Sequence, residues 1–174
     1  MKNTRRVLCC MLVMALAAFT GCGDDGDGGN SSAASSSSSA ESGLLAIGEP
    51  YQGGVIAYIY QPGDLGYVFG QKNGLIAAAA DQSSGTVWIS GGASESTPVP
   101  GGTGKGLGTG PANTDRIIAQ AVAAGNTDKS TYAAGITRAY HGGGYTDWYL
   151  PSYDELMKLY TSRTLIGGFT GVHY

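Results

Sequence analysis

Three cysteines, two histidines and the pair Ser152 and Glu155 hold most of the side-chain chemistry that this sequence offers. Cys9, Cys10 and Cys22 all lie near the N-terminus. The chain beyond Cys22 therefore has no thiol for a disulfide, a Cys-rich zinc site or thiol catalysis. His141 and His173 are far apart and neither has a carboxylate at ligand spacing, so they form no zinc pattern. Gly102 to Gly108 (GTGKGLG) resembles a phosphate loop only superficially. Lys105 is followed by Gly106 rather than Ser or Thr, Val99 stands where the first glycine belongs, and no strand leads into the segment. Asp25-Gly26-Asp27-Gly28 lacks the further carboxylates of a calcium loop. Ser152 and Glu155 have the spacing of a helix capping box, which accounts for both and leaves no residue that demands a nucleophile's role. Asp147, beside Trp148, is a candidate ligand-binding residue together with Tyr145 and His141 of the His141-Gly142-Gly143-Gly144-Tyr145 segment. The competing reading is a turn aspartate ahead of a core tryptophan. No catalytic set, metal or cofactor is expected.

The N-terminus places the remaining cysteine. Lys2, Arg5 and Arg6 precede an apolar run from Val7 to Phe19 and then Thr20-Gly21-Cys22, the pattern of an export signal. As a helix such a run is about 20 Å long, short of the roughly 30 Å hydrocarbon core that a spanning segment must cross. Ala18-Phe19-Thr20-Gly21-Cys22 resembles the lipobox of bacterial lipoproteins, with Phe19 where Leu is usual. The resemblance implies that residues 1–21 are a signal peptide and that Cys22 carries the lipid, which anchors the chain in the cell envelope. With Gly23 at the second mature position, the outer membrane or cell surface is the expected location. Thr4-Arg5-Arg6-Val7-Leu8 also fits a twin-arginine signal, so the export route stays open.

Residues 22–43 read as a tether. No large apolar residue occurs from Gly23 to Gly43, so nothing there offsets the entropy of ordering the backbone. From Leu44 aliphatic and aromatic residues recur to the end, marking one domain over 44–174 that is large enough for a core. It carries seven Lys and Arg against nine Asp and Glu, a balance without the basic footprint of a nucleic-acid or anionic-lipid binder.

The elements that must position the candidate residues follow from local pattern. Gly54 to Tyr60 (GVIAYIY) is a strand ended by the turn Gln61-Pro62-Gly63-Asp64, and a second strand is expected near Tyr67 to Phe69. Gly74 to Ala80 is taken as a buried strand, Asp81 to Gly85 as a turn, and Thr86 to Ser90 as a strand with Trp88 inward. A long loop covers Gly91 to Ala112. Asn113 or Thr114 is expected to cap a helix that runs through about Ala124, with Ile117, Ile118, Ala121 and Val122 on one face and Gly125-Asn126 as its stop. A second helix is expected over Thr131 to Tyr140. A third begins at the Ser152 cap, with Leu156, Leu159 and Tyr160 as its apolar stripe. Phe169 to Tyr174 could begin a strand. Trp148 and Leu150 share one face of an extended segment, and Trp148, Leu150 and Leu156 are expected core residues.

Several segments together resemble the domain of unknown function 1566, also called the Lcl C-terminal domain. They are Gly53-Gly54-Val55-Ile56-Ala57-Tyr58, Gly74-Leu75-Ile76-Ala77-Ala78, Asp81 to Gly85 with Trp88, Gly108-Thr109-Gly110 with Ala112-Asn113-Thr114, and Asp147 to Ser152 with Asp154-Glu155-Leu156. The resemblance implies an α+β fold of the C-type-lectin-like superfamily, with short antiparallel strands and two to three helices. It also implies an extracytoplasmic, non-catalytic binding or adhesion module, with a polysaccharide or surface protein as partner and no nucleic acid. Trp148-Tyr149-Leu150-Pro151-Ser152 with Glu155 is similar to a segment of formylglycine-generating enzymes, so an envelope enzyme is the alternative. The family continues past the Gly167-Gly168-Phe169 region with closing strands where this chain ends at Tyr174, so the domain is expected to be incomplete, with apolar surface exposed.

Overall fold

The computed structural model describes residues 45–89, 98–102 and 104–167, and the backbone of two short strands near the N-terminus. Cys22, the tether, His173 and the segment from Phe169 to Tyr174 lie outside these residues. β1 (Arg6–Leu8) and β2 (Ala15–Ala17) pair antiparallel near the N-terminus. Among the described residues no helix is long and apolar enough to cross a membrane.

The domain is α+β. Its sheet has three antiparallel strands in sequence order, β3 (Pro50–Tyr51), β4 (Gly54–Ile59) and β5 (Gly74–Ala77). Val55 pairs with Ala77 and Ile56 with Ile76, and a bulge at Ala57 shifts the register so that Tyr58 meets Leu75. Both faces of the sheet are covered, so these strands read as continuous apolar runs. Val55, Ala57, Leu75 and Ala77 pack with Tyr149, Leu159 and Ile166 on one side. Ile56, Ile76 and Ala78 pack with Ala133 and Trp148 on the other.

The described residues hold four α-helices, α1 (Gly110–Ala123), α2 (Ala133–Ala139), α3 (Tyr153–Thr161) and α4 (Arg163–Ile166), of which α2, α3 and α4 pack on the sheet. A third buried cluster, with Ile89, Val99, Ile117, Ala121, Tyr132 and Ala134, joins α1 to α2. α1 ends as its sequence suggests. Gly125 takes φ +92°, the Asn126 N–H reaches the Ala121 carbonyl and the Gly125 N–H reaches Val122, a Schellman arrangement that satisfies the last carbonyls.

Five sequence expectations are corrected. Tyr67 to Phe69 is a turn-rich loop, held by the Tyr67 N–H on Asp64 O and the Gln71 N–H on Val68 O, and Phe69 is 91% exposed. Residues 86–89 are not a strand either. Val87 O accepts from the Ala133 N–H and the Thr86 hydroxyl donates to Thr131 O, so the segment docks on the start of α2 instead of pairing in a sheet. Its fully buried side chain is Ile89, while Trp88 is half-buried against the same cluster. α1 starts at Gly110, before the expected Asn113 or Thr114 cap, because both side chains are used elsewhere: Asn113 bonds Gly104 twice, and the Thr114 hydroxyl donates to Gly110 O and accepts from the Leu150 N–H. Pro111 sits in the first turn, where a missing N–H costs nothing. Within α1, Ile117 and Ala121 are buried, but Val122 is 47% exposed. On α3 only Glu155 and Leu159 are buried, whereas Leu156 and Tyr160 face outward.

Candidate functional site

His141, Tyr145 and Asp147 are carried on one short loop between α2 and the extended segment 148–150. Its centre is a 3-10 turn over Gly142–Gly144, closed by the Gly144 N–H on His141 O at 3.0 Å and the Tyr145 N–H on Gly142 O at 3.2 Å. His141 is exposed, and Tyr145 and Asp147 are half-buried. Two supports fix the loop. From below, the Trp148 indole N–H donates to Gly142 O at 3.2 Å, and the ring lies 5.1 Å from that of Tyr140. From the side, the β3–β4 turn packs backbone against backbone, since a Cβ at Gly53 would strike Gly143 and one at Gly143 would lie 2.6 Å from Gln52 O. Glycine is required at both positions for that approach.

The loop therefore stands on the fold's largest buried side chain. Tyr51 of β3 and Tyr140, both half-buried, pack on the same cluster as Trp148. These two rings were not anticipated. Tyr140 adjoins His141 in sequence, but only the strand pairing brings Tyr51 to the cluster, and no local pattern shows that. Burial pushes the Tyr140 hydroxyl above the ordinary tyrosine value, so it stays neutral at physiological pH.

Arg138 holds this unit to α1. Its guanidinium donates to Trp148 O at 2.8 Å and Pro111 O at 3.2 Å and pairs with Asp115 at 2.7 Å. The planar fork reaches three acceptors from one position, which a lysine ammonium on its flexible stem does not reproduce.

Ser152 and Glu155 form a second polar centre on the far side of the Trp148–Ser152 segment. The Ser152 hydroxyl accepts from the Glu155 N–H, and Glu155 Oε2 accepts from the Ser152 N–H at 2.7 Å, completing the capping box. The other oxygen, Oε1, accepts from the Gly108 N–H at 2.8 Å and the Tyr149 hydroxyl at 3.1 Å. A cap thus doubles as a clamp on the Lys105–Thr109 loop, which is also held by the Ser152 hydroxyl on Gly106 O and the Asp154 N–H on Lys105 O. Burial pushes the Glu155 carboxyl up from its ordinary value against the opposing pull of its hydrogen bonds. Lys105 to Gly108, part of the stretch superficially like a phosphate loop, are here fastened to the start of α3 and to this carboxylate.

Near the surface Lys158 of α3 donates to the Tyr58 hydroxyl at 3.0 Å, which donates to Asp64 at 2.7 Å. Burial first, and then the bond to Asp64, raise the Tyr58 hydroxyl above its ordinary value, and the bond to Tyr58 raises Lys158. This chain ties α3 to the β4 turn and holds Tyr58 in its neutral form. Among the described residues no group of three or more His, Cys, Asp or Glu is placed to hold a metal ion.

The chain matches no known protein family, no curated protein and no solved structure.

Proposed function

We propose that this chain is a lipid-anchored, extracytoplasmic binding or adhesion module of the Lcl C-terminal type, with a C-type-lectin-like fold and a neutral carbohydrate as its ligand class. The observation that carries the reading is the loop from His141 to Asp147, which presents an imidazole and a phenol on a base fixed by Trp148, Arg138 and the β3–β4 turn. Rigid aromatic rings with polar tips suit sugars, whose faces are apolar and whose edges carry hydroxyls. The near balance of charge in residues 44–174 favours a neutral ligand over a polyanion. The groups best suited to acid–base chemistry serve the fold: Glu155 clamps a loop and Ser152 caps a helix. The test is a glycan array run beside a hydrolase panel. Retention of a neutral glycan, lost on Tyr145→Ala, supports the reading. Turnover of a substrate that is lost on Glu155→Gln would move the protein to the enzyme class.

A further inference from the structure

The two ends of the three-stranded sheet carry different things. At one end the β3–β4 turn brings Gly53 onto Gly143 of the His141–Asp147 loop. From that turn β3 runs back alongside β4, with Glu49 O accepting from the Ile56 N–H, toward the end where Ile59 pairs with Gly74. The described part of the domain begins at that second end, since the Leu45 carbonyl lies 3.5 Å from the ammonium of Lys72, in the connection from β4 to β5. The six residues of β4 separate the two ends by about 17 Å at roughly 3.3 Å per residue. The candidate binding loop and the point where the chain enters the domain are therefore at opposite ends of the sheet.

The entry end is the apolar one. In the β4–β5 connection Leu65, Val68 and Phe69 are 63, 44 and 91% exposed. Hydrogen bonds hold them there: the Tyr60 N–H donates to Asn73 O, the Asn73 amide to Gly66 O, and the Tyr58 hydroxyl and Gln61 N–H to the Asp64 carboxylate. Tyr67 packs on the core while its apolar neighbours on either side stay in water. A fixed loop that keeps three apolar side chains exposed together marks a contact surface. We propose that this loop is a membrane-contact site, with Leu65, Val68 and Phe69 entering the interfacial layer of a lipid bilayer and the His141–Asp147 loop facing away from it. The inference rests on the reading of Cys22 as the lipid-bearing residue. That reading selects the bilayer as the occupant, because residues 22–43, read as a Gly- and Ser-rich tether, average about 25 Å end to end and lead to Leu45 at this end of the domain. Three side chains make less than the roughly 800 Å² per partner of a standard protein interface. They suffice to orient a domain that is already anchored, since the anchor turns docking into an intramolecular step. With the charges of the domain nearly balanced, the contact is apolar and does not depend on salt.

The test uses the full chain made in a bacterial host and reconstituted into vesicles of phosphatidylethanolamine and phosphatidylglycerol. A polarity-sensitive fluorophore is placed on Gln71→Cys, beside the apolar residues, or on His141→Cys, both exposed positions. With residues 1–21 removed and Cys22 acylated, the introduced cysteine is the only thiol. The label at 71 is expected to shift to the blue and to be quenched by brominated acyl chains, at low and high salt alike, and the label at 141 to do neither. Leu65→Ser with Phe69→Ser is expected to return the label at 71 to water while palmitate uptake, sedimentation with membranes and the melt stay as in the parent. In an acylated chain, a label at 71 that remains in water, equal quenching at 71 and 141, or quenching that survives the two serines would each overturn the inference and leave the anchor standing. A label at 71 that shifts to the blue without quenching by the lipid would mark a protein partner and overturn it as well. A chain that takes up no palmitate would remove the anchor and this inference together.

Discussion

Glu155 is a fully buried acid that binds three donors, the N–H groups of Gly108 and Ser152 and the hydroxyl of Tyr149. Its carboxyl is raised above the ordinary value of 4.5, chiefly by burial. For a group raised on folding, the associated stability is fully present below the unfolded value and is lost as pH rises through the folded one. Glu155→Gln keeps one oxygen for Gly108 and Tyr149 but turns an amide N–H toward the Ser152 N–H. The expected cost is about 1–3 kcal/mol near pH 4, shrinking as pH rises, read from denaturant melts of both proteins. A cost that grows with pH would contradict the sign. Arg138 supplies a second test. Asp115 is 63% exposed, so its side of the ion pair contributes little, and Asp115→Ala is expected to cost at most about 1 kcal/mol. Arg138→Ala strips the Trp148 and Pro111 carbonyls as well and is expected to cost about 2–4 kcal/mol. Equal losses in the two variants would show that the carbonyl contacts add nothing. The capping pair was legible in the sequence because a cap is a local motif. Its second use as a clamp was not, since the Gly108 N–H arrives from 47 residues away.

At the scale of elements, Trp148 and Tyr149 are both completely buried because the extended segment carrying them sends one ring to each side of the sheet. Trp148→Ala is expected to cost about 3–5 kcal/mol and Leu156→Ala less than about 1, measured as unfolding free energies. The second figure reverses the core role that periodicity assigned to Leu156, whose side chain is 40% exposed. Local pattern found β4, β5, the end of α1 and the start of α3, where glycine stops, β-rich runs and a capping box carry the signal. It misread what depends on neighbours. Thr86 to Trp88 has strand-like composition, but its backbone partner is the start of α2. Tyr67 to Phe69 has strand residues, yet the Asp64 and Asn73 contacts fold that stretch into a loop. α1 begins earlier than Asn113 because the Asn113 amide is drawn to Gly104. In each case a particular hydrogen-bond partner, near or far in sequence, outweighs a propensity of a few tenths of a kcal/mol.

Over the whole molecule, the described fold is a rigid base presenting the His141–Asp147 loop, and the proposed tether and lipid would hold that loop at a membrane surface. The lipid is tested separately. In a bacterial host the wild-type chain is expected to take up a palmitate analogue and sediment with membranes, and Cys22→Ala to do neither. Equal labelling of the two would remove the anchor from the account. Of the proposed ligand site, the sequence offers His141, Tyr145 and Asp147 as candidates, and the structure carries all three on one loop, whereas the Tyr51 and Tyr140 rings on its supporting cluster are joined to it only by the fold. The most direct measurement is calorimetric titration of a neutral glycan retained on the array against the wild-type protein and Tyr145→Ala, at low and high salt. Affinity is expected to fall roughly two- to twelve-fold in the variant, the equivalent of about 0.5–1.5 kcal/mol of ring contact, and to change little with salt in either protein. An affinity that survives Tyr145→Ala, or one that collapses as salt is raised, would contradict a stacking site on this loop.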